Sequence, residues 1–113
     1  MTTTNLHPIP VRALFDIERQ RTDHTHLVGY VGTTRRALTD AFGSPDADGS
    51  SDGKVPLEWS LDLNGWVVTI YAWKRTAPTQ DEIYDWHVGG HDEEALSDLA
   101  AILPGAIVKN ATI

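Results

Sequence analysis

Apolar and polar residues alternate most cleanly over Leu57-Glu58-Trp59-Ser60-Leu61-Asp62-Leu63, the period-two pattern of a half-buried strand. Asn64-Gly65 follows, a strong hairpin signal because both residues tolerate the positive φ of a type I′ turn. Trp66 to Trp73 then returns. Direct pairing across the turn sets Leu63 against Trp66, Leu61 against Val68, Trp59 against Ile70 and Leu57 against Ala72, which makes that face the core. The other face carries Glu58, Ser60 and Asp62 against Tyr71, Thr69 and Val67, with Trp73 at its end. It is polar yet aromatic, so it is either solvated or a binding surface.

Flanking segments supply the remaining elements. Thr25 to Val31 reads as a strand, with His26, Val28 and Tyr30 on one side and Leu27, Gly29 and Val31 on the other. Gly32-Thr33-Thr34 opens a helix with a threonine cap; Ala37, Leu38, Ala41 and Phe42 form its apolar stripe, and Gly43 and Pro45 end it. Ile83 to Val88 reads as a strand, with Tyr84, Trp86 and Val88 on one face and Asp85 and His87 on the other. A helix is predicted from about Asp92 to Leu103, with Leu96, Leu99, Ala100 and Leu103 inward, and Ala106 to Asn110 as an edge strand. Near the N-terminus, Pro10 suits a first helical turn, and Val11, Leu14 and Phe15 fall on one face of a short helix to Arg21. The expected class is α+β: a single, mainly antiparallel sheet of four or five strands with two helices on one face. Residues 1–24 read as an extension bearing the short helix, and residues 25–113 as one α+β domain.

Composition narrows the function classes. A chain of 113 residues suits one core. The absence of cysteine excludes a disulfide scaffold, a zinc ribbon and a thiol nucleophile, and fits a reducing compartment. A net charge of −7 disfavours binding to a nucleic-acid backbone, which needs clustered cations. No apolar run approaches the roughly 20 residues of a membrane helix, and Met1 to Asn5 carries no leader-like pattern; neither membrane association nor secretion is expected.

The densest cluster of candidate functional residues is Trp86-His87-Val88-Gly89-Gly90-His91, read as a strand ending on two glycines before a helix. Such a junction allows positive φ or close backbone approach, and resembles the layout that holds phosphate at a helix N-terminus. Asp92, Glu93 and Glu94 argue against an anion there, and neither a P-loop nor a dinucleotide fingerprint is present. His87 and His91, with Asp85, Asp92 or His26, can be drawn as metal ligands. Their spacing spans a strand, a turn and a helix start, and the plainer role is a hydrogen bond to backbone or a helix cap. His87 with Asp85, or His26 with Glu58, can be drawn as acid–base pairs, but no spacing selects them. Asp46, Asp48 and Asp52 suggest a calcium loop, yet Ser51 and Leu57 occupy the positions needing glycine and glutamate. Arg35 and Arg36 oppose the dipole of their helix, a local cost that hints at use; a solvated pair is the plainer reading. No cofactor is expected.

Taken in order, Ala41-Phe42-Gly43, Glu58-Trp59, Asn64-Gly65, Thr69-Ile70-Tyr71, Trp73-Lys74 and Tyr84-Asp85-Trp86-His87-Val88-Gly89-Gly90-His91 resemble a group of small, uncharacterised bacteriophage proteins. That group carries a Trp-His-Ile-Gly-Gly motif after a Thr-Ile-Tyr-x-Trp-Lys strand. The resemblance spans about Thr25 to Leu103, with Val88 in place of the isoleucine. It implies a phage or prophage origin and action in a bacterial cytoplasm, and it brings no catalytic residues. The expectation is a non-enzymatic accessory protein that binds and inhibits a host protein or defence complex. The alternatives are a sponge that sequesters a signalling nucleotide, a virion component or a small hydrolase. The candidate binding residues are Trp86, His87, Gly89, Gly90, His91, Arg35, Arg36, Glu58, Tyr71 and Trp73.

Overall fold

A computed structural model describes residues 9–45, 57–73 and 77–111. The candidate calcium-loop residues Asp46, Asp48 and Asp52 lie outside the described residues, as does Lys74. The fold is α+β. Its elements are β1 (Val11–Ala13), a 3-10 segment (Asp16–Thr22), β2 (His26–Thr34), α1 (Arg35–Phe42), β3 (Glu58–Leu63), β4 (Trp66–Tyr71), β5 (Ile83–Gly90), α2 (Ala95–Ile102) and β6 (Ile107–Asn110). Among the described residues the strands form one antiparallel sheet of six in the order β1-β3-β4-β5-β2-β6.

The hairpin forms as its alternation dictates. Trp59 pairs with Ile70, Leu61 with Val68 and Leu63 with Trp66. Asn64 and Gly65 take φ of 54° and 90°, and the Asp62 carboxylate accepts the Gly65 N–H at 2.9 Å, closing the turn. Trp59, Leu61, Leu63, Val68 and Ile70 join Val31, Trp86 and Val88 in one core with Leu38 of α1 and Leu96 and Leu99 of α2. Both helices therefore cover the same face of the sheet. Trp59 and Trp86 meet edge to face at 5.5 Å. Their indole N–H groups donate to the Gly43 and Thr33 carbonyls at 2.9 and 3.1 Å, so both rings are buried with their donors satisfied.

The sheet has one strand more than the upper sequence estimate, and the N-terminal helix is not formed. Val11–Ala13 pairs with Leu63–Leu61 of β3 instead. The Leu14 N–H donates to the Ser60 carbonyl and the Asn64 N–H to the Pro10 carbonyl. The open edge of the hairpin offers a row of backbone partners, and satisfying them outweighs the helical spacing of Val11, Leu14 and Phe15. Leu14 is buried, whereas Phe15 is exposed. Only a 3-10 stretch follows, and ion pairs tie it to the sheet.

Three boundaries also shift, and one strand is bulged. β2 runs on to Thr34, whose side chain caps α1 by accepting the Ala37 N–H at 3.1 Å. Strict alternation fails in β2 because a bulge lies between Leu27 and Gly29; Val28 is buried beside Gly90, not aligned with Tyr30. Gly89 and Gly90 are the last two residues of β5, not a turn, and neither has positive φ. α2 begins at Ala95, because the Asp92 carboxylate accepts the Glu94 N–H at 2.8 Å and closes a turn before the helix.

Candidate functional site

The face of the sheet away from the helices carries the site. Register aligns Glu58 with Tyr71, Tyr71 with His87, His87 with Tyr30 and Tyr30 with Lys109. One row thus crosses β3, β4, β5, β2 and β6. His87 is packed between tyrosines: its ring stacks on Tyr71 at 5.4 Å and 28°, and meets Tyr30 edge-on at 5.2 Å. Trp73 lies 6.3 Å from Tyr71 and 6.5 Å from His87. Burial holds the His87 imidazole below its ordinary pKa, and its Nδ1 is buried without a hydrogen-bond partner among the described residues. Burial, followed by the Glu58 carboxylate and Tyr30, raises the Tyr71 phenol above its ordinary value. On the same face Lys109 pairs with Asp85 at 3.3 Å, and Ile83 and Ile107 stand 77% and 66% exposed.

Beside the row opens a cleft of about 330 Å³ lined by Thr22, Thr25, His26, Leu27, Glu58, Thr69, Tyr71, Trp73 and Gly89. Gly89 forms part of its floor. A Cβ there would stand 2.5 Å from the Thr69 hydroxyl oxygen and 3.6 Å from the Tyr71 ring, so glycine is required for space and not for φ. Gly90 is limited from the opposite face, where a Cβ would stand 3.2 Å from the Val67 carbonyl oxygen.

The wall opposite the aromatics comes from the 3-10 segment and the start of β2. The Glu18 carboxylate binds both Arg12 guanidinium nitrogens at 2.7 and 2.8 Å and accepts the Phe15 N–H at 2.9 Å. Arg21 bridges Glu18 at 3.2 Å and Asp62 of β3 at 3.0 Å. These contacts hold the Glu18 carboxyl down at about 2, the Arg12 bond being the largest cause. His91 Nε2 lies 3.1 Å from the Arg21 carbonyl oxygen. Thr25 donates its hydroxyl to the Thr22 carbonyl at 2.8 Å, which seats both threonines on the cleft.

Of the sequence candidates, the structure brings Glu58, Tyr71, Trp73, His87 and Gly89 together on this face. Trp86 is wholly buried on the helix side, and Gly90 points the same way toward Val28. His91 sits at the margin and fastens the 3-10 segment. Arg35 and Arg36 lie beyond the far end of β2: Arg35 donates to the Pro78 carbonyl at 3.3 Å, and Arg36 pairs with Asp81 at 2.9 Å. Both clamp the segment before β5 onto α1. Thr22, Thr25 and Leu27 were not legible as site residues, because their place depends on the 3-10 segment folding back over the sheet. Among the described residues no group of three or more His, Asp or Glu side chains is placed to hold a metal ion, so His87 and His91 do not gather a ligand set there. Among the same residues no helix is long and apolar enough to cross a membrane.

No protein-family model matches the chain, and no curated protein or solved structure matches it either.

Proposed function

We propose that this chain is a non-enzymatic binding protein that engages and blocks a partner protein through the helix-free face of its sheet. The observation that carries the reading is the apolar and aromatic character of a face that neither helix covers: Tyr30, Tyr71, Trp73, His87, Ile83 and Ile107 share it, and Ile83, Ile107 and Trp73 are exposed. Exposed aromatic and aliphatic groups rimmed by polar ones such as Asp85 and Lys109 are the usual make-up of an interaction surface. The resemblance to small bacteriophage proteins makes the partner a host protein or defence complex in a bacterial cytoplasm, and inhibition the outcome.

Capture from bacterial lysate by the full chain tests this, with a double variant, Ile83→Ser with Ile107→Ser, as the comparison. Both side chains are exposed, so melting should be unchanged while the captured protein is lost. Equal capture by the double variant would overturn the reading.

The cleft supports a second reading, sequestration of a nucleotide, because Tyr71 and Trp73 offer rings on which a base can stack. Against it, no lysine or arginine stands among the described lining residues to meet phosphate. Nucleotide released in stoichiometric amount on denaturing the purified protein would favour it over the first.

A further inference from the structure

We infer that the 3-10 segment Asp16–Thr22 is a hinged strap over the β3–β4 part of the helix-free face, latched by ion pairs, and that the partner binds with the strap lifted. The inference rests on the partner-binding reading and gives that face a regulated state. Alternation along β4 puts Val67 on the helix-free face with Thr69 and Tyr71. Val67 and Thr69 are buried there, as is Ser60 of β3, while Tyr71 is only half-buried. The strap packs against β4. Leu14, where the chain leaves β1 for the strap, is buried as well. Among the described residues neither Leu14 nor Val67 joins the core under the helices. Val67 therefore owes its burial to the strap and not to the helices.

The latch is electrostatic. Glu18 is its hub, bound to both Arg12 guanidinium nitrogens at 2.7 and 2.8 Å and to Arg21, which reaches Asp62 of β3 at 3.0 Å. All four side chains are partly exposed. Such pairs contribute little each, gain from being networked, and are screened by salt. His91 Nε2 adds one contact, 3.1 Å from the Arg21 carbonyl oxygen. The strap's apolar residues do not anchor it, because Phe15 at its cap and Ile17 are exposed. The Glu18 N–H donates to the Phe15 carbonyl and the Asp23 N–H to the Gln20 carbonyl; both bonds lie within the segment and survive lifting. The hinges lie at its ends. Leu14 stays bonded to Ser60, and His24 holds φ at 67°, a left-handed conformation uncommon outside glycine, where the chain turns into β2. A segment with few buried apolar contacts and an exposed ion-pair network belongs to the low end of local stability. Lifting it removes the Thr22 wall of the cleft and joins Val67 to the Tyr71 side of the face, so a partner that contacts this strip favours the lifted state.

The chain has no cysteine, so one introduced thiol reports on one place. Val67→Cys lies under the strap; Val68→Cys, its wholly buried neighbour in the core under the helices, reports unfolding of that core. Maleimide labelling of the full chain is followed at low salt and in about 1 M sodium chloride, where the screening length falls to about 3 Å. Each rate is taken relative to a free thiol peptide at the same salt. Val67→Cys should label about ten-fold faster than Val68→Cys or more, as local opening without unfolding implies. Salt and Glu18→Gln should each widen that gap several-fold. If Val67→Cys melts early, hydroxyl-radical oxidation of Val67 in the unsubstituted chain gives the same reading. Glu18→Gln should also raise the capture that depends on Ile83 and Ile107.

Labelling of Val67→Cys no faster than that of Val68→Cys, or a rate that neither salt nor Glu18→Gln changes, would overturn the strap. Capture left unchanged or lowered by Glu18→Gln, in a chain whose strap lifts more readily, would overturn its control of the face. The labelling needs no partner, so the partner-binding reading fails separately: equal capture by the chain with Ile83→Ser and Ile107→Ser removes that reading, while labelling still decides whether the strap lifts.

Discussion

His87 stacks on Tyr71 across the β4–β5 strand pair, with ring centroids 5.4 Å apart and planes 28° from parallel. This contact links the row that crosses the sheet to the wall of the cleft. It also places a titratable ring where it is partly desolvated, with a buried Nδ1 that has no partner among the described residues. His87 is therefore part of the packing of the face it helps to present.

Stability should fall on mild acidification through His87. Burial lowers its folded pKa below the ordinary 6.5. The unfolded chain then takes up a proton first as pH drops through 6.5, while the native chain resists. The contribution of neutral His87 is full above 6.5 and declines as pH falls toward the lower folded value. Urea unfolding at pH 7.5 and 5.5 measures it, and His87→Phe should flatten that slope while keeping an aromatic ring on Tyr71. An equal slope in the variant would show that another group titrates.

Glu18 governs a separate, more acidic window. Its folded pKa is lowered to about 2 by Arg12 and the Phe15 N–H, against an ordinary 4.5. Its contribution is present above 4.5 and lost as pH falls through about 2. Glu18→Gln should remove this dependence and loosen the 3-10 segment, read as faster hydrogen exchange at Thr22 and Thr25. Unchanged exchange would mean that Arg21–Asp62 and His91 hold the segment alone.

Leu14 should be as costly to truncate as a core leucine. It is buried and follows β1 directly, so Leu14→Ala should lose about 2–5 kcal/mol in chemical denaturation. A loss below about 1 kcal/mol would mean that the N-terminal strand is only loosely docked.

Gly89 and Thr69 should be energetically coupled. Gly89→Ala drives a methyl to 2.5 Å from the Thr69 hydroxyl oxygen, an overpacking that costs about 1–3 kcal/mol. Thr69→Ala should recover much of that loss in the double variant. Strict additivity of the two changes would contradict the steric account.

The hairpin was legible because two local signals agree: Asn64-Gly65 fixes the turn, and alternation from Leu57 to Leu63 fixes the face. The opposite facing of Trp86 and His87 was legible for the same reason. β1 was not, because three residues carry no period, and the spacing of Val11, Leu14 and Phe15 imitates a helix. Its strand state depends on an edge of β3 that is distant in sequence. Gly89-Gly90 read as a junction because paired glycines usually break strands. Their reason is three-dimensional, a threonine hydroxyl on one face and a neighbouring carbonyl on the other. Of the site, Glu58, Tyr71, Trp73 and His87 could be named from alternation, but the cleft could not. Its second wall comes from a segment held by the Arg12–Glu18–Arg21–Asp62 ion pairs, which no local pattern announces.

The most direct measurement is side-chain footprinting of the chain with and without the partner it captures, read by mass spectrometry. Protection should concentrate at Tyr30, Trp73, Ile83 and Ile107 on the helix-free face, while the exposed positions Asp40 of α1 and Ala100 of α2 stay as reactive as in the free chain. Protection confined to α1 and α2, with Trp73 and Ile107 unchanged, would contradict a binding role for this face.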